Sequence, residues 1–188
     1  MTENNNTEFF GDESIKLLVE SLWSKVFAAS NKVIRDTKVF GFNEIDVIPN
    51  PNVHQIIASL AVISNTLELI MTMDKNGVIN IGDARQLINA KQQIVNMEAI
   101  AIALKSKDRS GYEDAVERLQ NQAQFWFKLK KHLWGWSMKR EIKDKEAIML
   151  RIKLIKELKI AIREADKLNL ILDDMHNMLH NNSSKKAA

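Results

Sequence analysis

The sequence predicts an all-α protein: a helical bundle of about five helices whose long C-terminal helix contains a coiled-coil-like heptad seam. Three observations lead there. Six Gly and two Pro in 188 residues are few for a chain of hairpins and tight turns, which draw on residues that tolerate positive φ. Apolar residues recur at steps of three and four along most of the chain. Capping signals stand where those periodic runs begin.

The first run, Ile15, Leu18, Leu22, Val26, Ala29 and Val33, predicts a helix over 12–38 with Asp12 as its cap. Both prolines fall within 41–52, a connection that ends at Asn50-Pro51, an N-cap followed by proline in the first helical position. Ile56, Leu60, Ile63, Leu67 and Ile70 give the second helix its face, ending near Met73. The polar turn Asp74-Lys75-Asn76-Gly77 follows. Asp83 and Gln86 then form a capping box for a third helix along Leu87, Ala90, Ile94, Met97, Ala101 and Leu104.

Ser110 and Glu113 form another capping box for a fourth helix, with a face running from Tyr112 to Leu133. Gly135 and Ser137 allow either a hairpin or a kinked rod, since a helical Gly costs only about 1 kcal/mol against Ala. From Met138 to about His180 the pattern is helical again. There Leu158, Ala161, Ala165, Leu168, Leu172, Met175 and Leu179 keep heptad spacing, long enough for a coiled-coil seam. An earlier helix or a second copy of the chain could fill that seam; self-association is the expectation, because a long helix cannot bury its own seam. The organisation expected is a disordered start at 1–11, a three-helix core at 12–109, a helical arm at 110–180 and a disordered tail at 181–188.

Composition removes several classes of function. Hydrophobic content of 45% and charged content of 27% are those of a folded protein. The absence of Cys excludes thiol nucleophiles, disulfides and thiolate-bound metals. The polar, acidic start lacks the pattern of a secretory signal, and no apolar run approaches the ~18 residues of a spanning helix. The cytoplasm of a bacterial cell or host is the expected compartment.

Asp74 onwards has oxygen-bearing side chains at alternate positions, but a calcium loop needs Gly at its sixth position and Glu at its twelfth. Those positions hold Ile79 and Arg85. Asp173, His176 and His180 could share a helical face, enough ligands only for an open metal site. No triad pattern surrounds His54 or His132, and no glycine-rich phosphate loop is present. No catalytic residue, cofactor, metal or small-molecule substrate is therefore expected, and the chain reads as a protein without enzymatic activity.

Five of the twelve aromatics lie between Phe125 and Trp136. They occupy more than one side of their helix, which makes Trp126, Phe127, Trp134 and Trp136 candidate anchors for a protein partner. Lys128, Lys130, Lys131, Lys139, Arg140 and Lys143 would form the basic rim that steers approach. Between Lys128 and Lys159 eleven bases face four acids, a net of +7, whereas the first fifty residues hold eight acids and five bases, a net of −3. This polarity suits a self-associating scaffold, adaptor or inhibitor that presents an aromatic and basic helix to a protein. It also suits a nucleic-acid-binding protein using the basic helix 128–159, or an amphipathic helix at a membrane surface. The same opposite charges could pair subunits head to tail.

Overall fold

The computed structural model describes residues 11–45, 50–82, 85–106 and 143–186, and among them every regular element is an α-helix. They are α1 (Asp12–Ile45), α2 (Asn50–Lys75), α3 (Arg85–Ser106) and α4 (Asp144–Lys186). The expected fourth helix, over 110–136, lies outside the described residues.

Local chemistry accounts for most helix ends. α1 starts with Asp12 and Glu13 in its first turn, carboxylates placed at the positive end of the helix dipole. It continues to Ile45 rather than stopping at Lys38, since Gly41 weakens a helix without breaking it. α2 starts at Asn50-Pro51 as expected and ends in a Schellman motif. Val78 N donates to Met73 O at 2.9 Å and Gly77 N to Asp74 O at 3.1 Å, with Gly77 at φ 73°, the left-handed conformation this cap requires. α4 runs through to Lys186, so the expected disordered tail from residue 181 is helical as far as that residue.

The four helices form a bundle in which α1 packs on α3 and α4, and α2 packs on α3 and α4, while α1 and α2 lie on one diagonal and α3 and α4 on the other. The pairs Asp12–Arg151, Lys25–Asp166, Lys32–Asp173 and Asp36–His176 keep a separation of 139 to 141 residues, so α1 and α4 run parallel. Ser30 bonds Gln93, and Trp23 borders Leu87, which makes α3 parallel to α1 as well. α2 runs against all three: Asn80, past its end, bonds Asp12 at the start of α1 beside Arg151 near the start of α4, whereas Ser59 in its first half bonds Glu164 farther along α4.

One continuous core occupies the centre. Ile15, Leu22 and Val26 of α1, Leu60, Ile63 and Ile70 of α2, and Ala90 and Ile94 of α3 are fully buried there with Leu154, Leu158, Ala161, Ala165 and Leu168 of α4. The heptad residues Leu158, Ala161, Ala165, Leu168, Leu172 and Met175 are all buried in this core, and the side chain of Leu179 lies outside the described residues. This corrects two expectations. The seam assigned to self-association is filled by earlier helices of the same chain. The core is also not a three-helix unit with an arm added, because α1 and α2 meet only across α3 and α4.

Val53–Lys75 is long and apolar enough to cross a membrane by length and composition, although no uninterrupted apolar run appears in the sequence. Its apolar side is the core itself, with Ile56, Leu60, Ile63, Leu67 and Ile70 buried. Replacing Leu158 with Ala should cost about 3 kcal/mol in urea unfolding, whereas the same change at the exposed Leu170 should cost less than about 0.5 kcal/mol.

Candidate functional site

Four polar side chains are buried among the described residues, and each has a partner, as burial of polar groups demands. Ser30 bonds Gln93, Ser59 donates to Glu164 Oε2 at 2.9 Å, and Thr66 donates to Val62 O at 3.1 Å. Asp36 Oδ1 receives Arg35 Nε at 3.0 Å and lies 2.7 Å from His176 Nδ1. The bonds of Ser30, Ser59 and Asp36 with Gln93, Glu164 and His176 join helices, whereas Thr66 bonds within α2. A crevice of about 30 Å³ between Trp23, Ile81 and Leu87 has room for about one or two waters.

The possible metal ligands on α4 are engaged in packing. Asp173 Oδ2 accepts from Lys32 Nζ at 2.7 Å, His176 faces Asp36, and the His176 and His180 rings meet edge to face at 4.7 Å. Among the described residues no group of three His, Cys, Asp or Glu side chains could hold a metal ion. Asp74, first residue of the superficial calcium-loop pattern, accepts from Ile81 N at 3.1 Å and closes its own turn.

The surface feature that stands out is on the outward side of α4, opposite the buried seam. Met149, Lys153, Lys156, Ile160, Arg163, Lys167 and Leu170 follow one another at steps of four and three, and all are exposed. Helical geometry puts such a series in one stripe. Met149 and Leu170 are each 66% exposed and Ile160 is 45% exposed, so three large apolar side chains are interleaved with four cations. No acid belongs to the stripe; Glu164, one residue from Arg163, lies 3.5 Å from Lys167 Nζ. Lys143, just before the helix, and Lys145, in its first turn, are exposed as well, with the exposed Asp144 between them.

Of the aromatic anchors and the basic rim selected from sequence, only Lys143 lies among the described residues. Trp126, Phe127, Trp134, Trp136, Lys128, Lys130, Lys131, Lys139 and Arg140 lie outside the described residues. Arg163, Lys167, Met149, Ile160 and Leu170 were missed. Their signal was a second three-and-four series on the other side of α4 from the Leu158 seam, hidden because the seam accounts for the helix without it.

In comparisons with known proteins, no family model, curated protein or solved structure matches the chain.

One further group is set off from its ordinary chemistry. Burial on the flank of α3 pushes the Glu98 carboxyl above the usual range; Lys91 opposes the rise and Glu68 adds to it. Glu98 therefore holds its proton more tightly in the folded chain than in the unfolded one. Its contribution to stability is most favourable below the unfolded pKa and is lost as pH rises through the folded value. Glu98→Gln should raise the melting temperature at neutral pH and leave it nearly unchanged in acid, as thermal unfolding across that range would show.

Proposed function

We propose that the chain is a non-catalytic helical protein–protein interaction protein, a scaffold, adaptor or inhibitor, which recognises an acidic, apolar-studded helix through the outward stripe of α4. The observation that carries this reading is the regular alternation of exposed cations with Met149, Ile160 and Leu170. Exposed large side chains at helical spacing are what a partner helix needs for packing. The cations around them would steer an acidic partner and fix its register more than they would add affinity.

The same cations could lie along a phosphate backbone, but the apolar residues argue for protein. A phosphate-tracking face gains from polar and basic side chains at every turn, whereas this stripe places a large hydrophobe at every third position. A membrane surface would need an apolar side wider than one stripe. The aromatic anchors expected at Trp126, Phe127, Trp134 and Trp136 could widen the contact, although the proposal rests on α4 alone.

The test is binding of a synthetic amphipathic helix bearing Leu and Glu in a matching stripe, followed by fluorescence anisotropy, with a single-stranded oligonucleotide and anionic vesicles alongside. The acidic peptide should bind and weaken with salt. Lys156→Glu with Arg163→Glu should reduce its affinity at least about ten-fold, roughly 1.4 kcal/mol, with unchanged thermal stability. Binding of the oligonucleotide or the vesicles, with the peptide ignored, would overturn the reading.

A further inference from the structure

α4 is not the only helix with an exposed series at heptad spacing. On α1, Glu13, Leu17, Glu20, Ser24, Phe27, Asn31 and Ile34 are separated by the same alternating steps of four and three, and all seven are exposed. Leu17 is 66% exposed, Phe27 47% and Ile34 41%. This stripe is as long as the one on α4, carries three large apolar side chains and two acids, and contains no base. The two stripes have opposite charge and the same repeat.

From this complementarity we infer that the partner of the α4 stripe is the α1 stripe of a second copy of the chain, an inference that rests on the proposed reading of α4. Setting Ser24 opposite Ile160 tests the fit in both helix directions. In the parallel case Glu20 meets Lys156, Phe27 meets Arg163 and Ile34 meets Leu170. In the antiparallel case Glu20 meets Arg163, Phe27 meets Lys156 and Ile34 meets Met149. Either way an acid faces a base, an aromatic ring faces a cation that it can attract through its π face, and two apolar side chains close one end. Glu13 meets Met149 in the first case and Leu170 in the second, and Leu17 meets a lysine, Lys153 or Lys167.

The surfaces cannot both be satisfied by one neighbour. Lys25, Lys32 and Asp36 face α4, whereas Phe27 packs on Trp23, with ring centroids 5.6 Å apart, and Trp23 borders α3 residues such as Leu87. The α1 stripe thus faces solvent on the side of α1 away from its contact with α4, with Phe27 at the edge nearer α3. A contact between two different surfaces that point apart is heterologous, and it builds a ring or an open chain instead of an isologous dimer. The chain assembles head to tail.

The test is light scattering and sedimentation of the full chain over a wide concentration range, at low and high salt, with two variants. Phe27→Ser with Ile34→Ser removes the apolar part of the α1 stripe, and Ile160→Ser with Leu170→Ser that of the α4 stripe. All four positions are exposed, so both variants should keep the helical circular dichroism of the parent. The parent should grow past a dimer with concentration and shrink with salt. Each variant alone should be monomeric, and their mixture should stop at a one-to-one dimer, since each supplies the surface the other lacks. A parent that remains monomeric, a parent that stops at a dimer, or a variant that still self-associates would each overturn the inference. If the parent is monomeric but still binds the acidic helical peptide, the proposed function stands and only the self-partner falls; if it does neither, both fall.

Discussion

The fold depends on the burial of one side of α4 between two helices that do not touch each other. α1 and α2 stand on a diagonal of the bundle, and Leu154, Leu158, Ala161, Ala165 and Leu168 fill the space between them without exposure. The two alanines allow close approach where Leu would not fit, and the leucines supply most of the apolar area, at roughly 25 cal/mol per Å² removed from water. Without this helix α1 and α2 would meet only through α3, and the part of each core face that packs on α4 would be open to solvent. The last part of the sequence is therefore what completes the core.

Register then follows from charge. The pairs Asp12–Arg151, Lys25–Asp166, Lys32–Asp173 and Asp36–His176 lie along the contact of α1 with α4. The part-exposed ion pairs contribute little each, from about 0 to 1 kcal/mol, so they do not hold the bundle together, and the buried Asp36 meets His176 through a hydrogen bond. They discriminate. Sliding α4 by one heptad in one direction would set Lys25 beside Lys159, a like-charged pair, whereas the apolar seam alone would tolerate the shift. With both inner surfaces spoken for, the remaining three-and-four series on α1 and α4 face solvent, where their opposite charges are available to other molecules.

Much of this was legible in the sequence. The helical class followed from the scarcity of Gly and Pro, and the faces of α1, α2 and α3 were set by apolar spacing that returned as burial at Leu22, Leu60 and Ile94. Spacing identified the seam on α4 as well, but not what fills it, because a heptad series is equally satisfied by a helix of the same chain or of another. The diagonal arrangement was invisible for the same reason. The exposed stripes were missed because Lys153 and Lys156 were counted only as charge within the stretch 128–159 and Leu170 stands outside the heptad seam; only their position opposite that buried seam brings them into one line. Glu98 gave no signal at all, since its environment comes from Lys91 and from Glu68 on another helix.

The central claim is that α4 uses its inner side within the chain and its outer side between chains. Zero-length carbodiimide cross-linking of a mixture of isotopically light and heavy copies tests it directly, because each linked pair reports whether its two ends came from one molecule. The account predicts that links joining Lys25 to Asp166 and Lys32 to Asp173 are never mixed, and that mixed links join Glu20 to Lys156 in the parallel register or to Lys167, the stripe residue after Arg163, in the antiparallel one. Mixed links at Lys25 or Lys32, or none joining α1 to the outer stripe of α4, would contradict it.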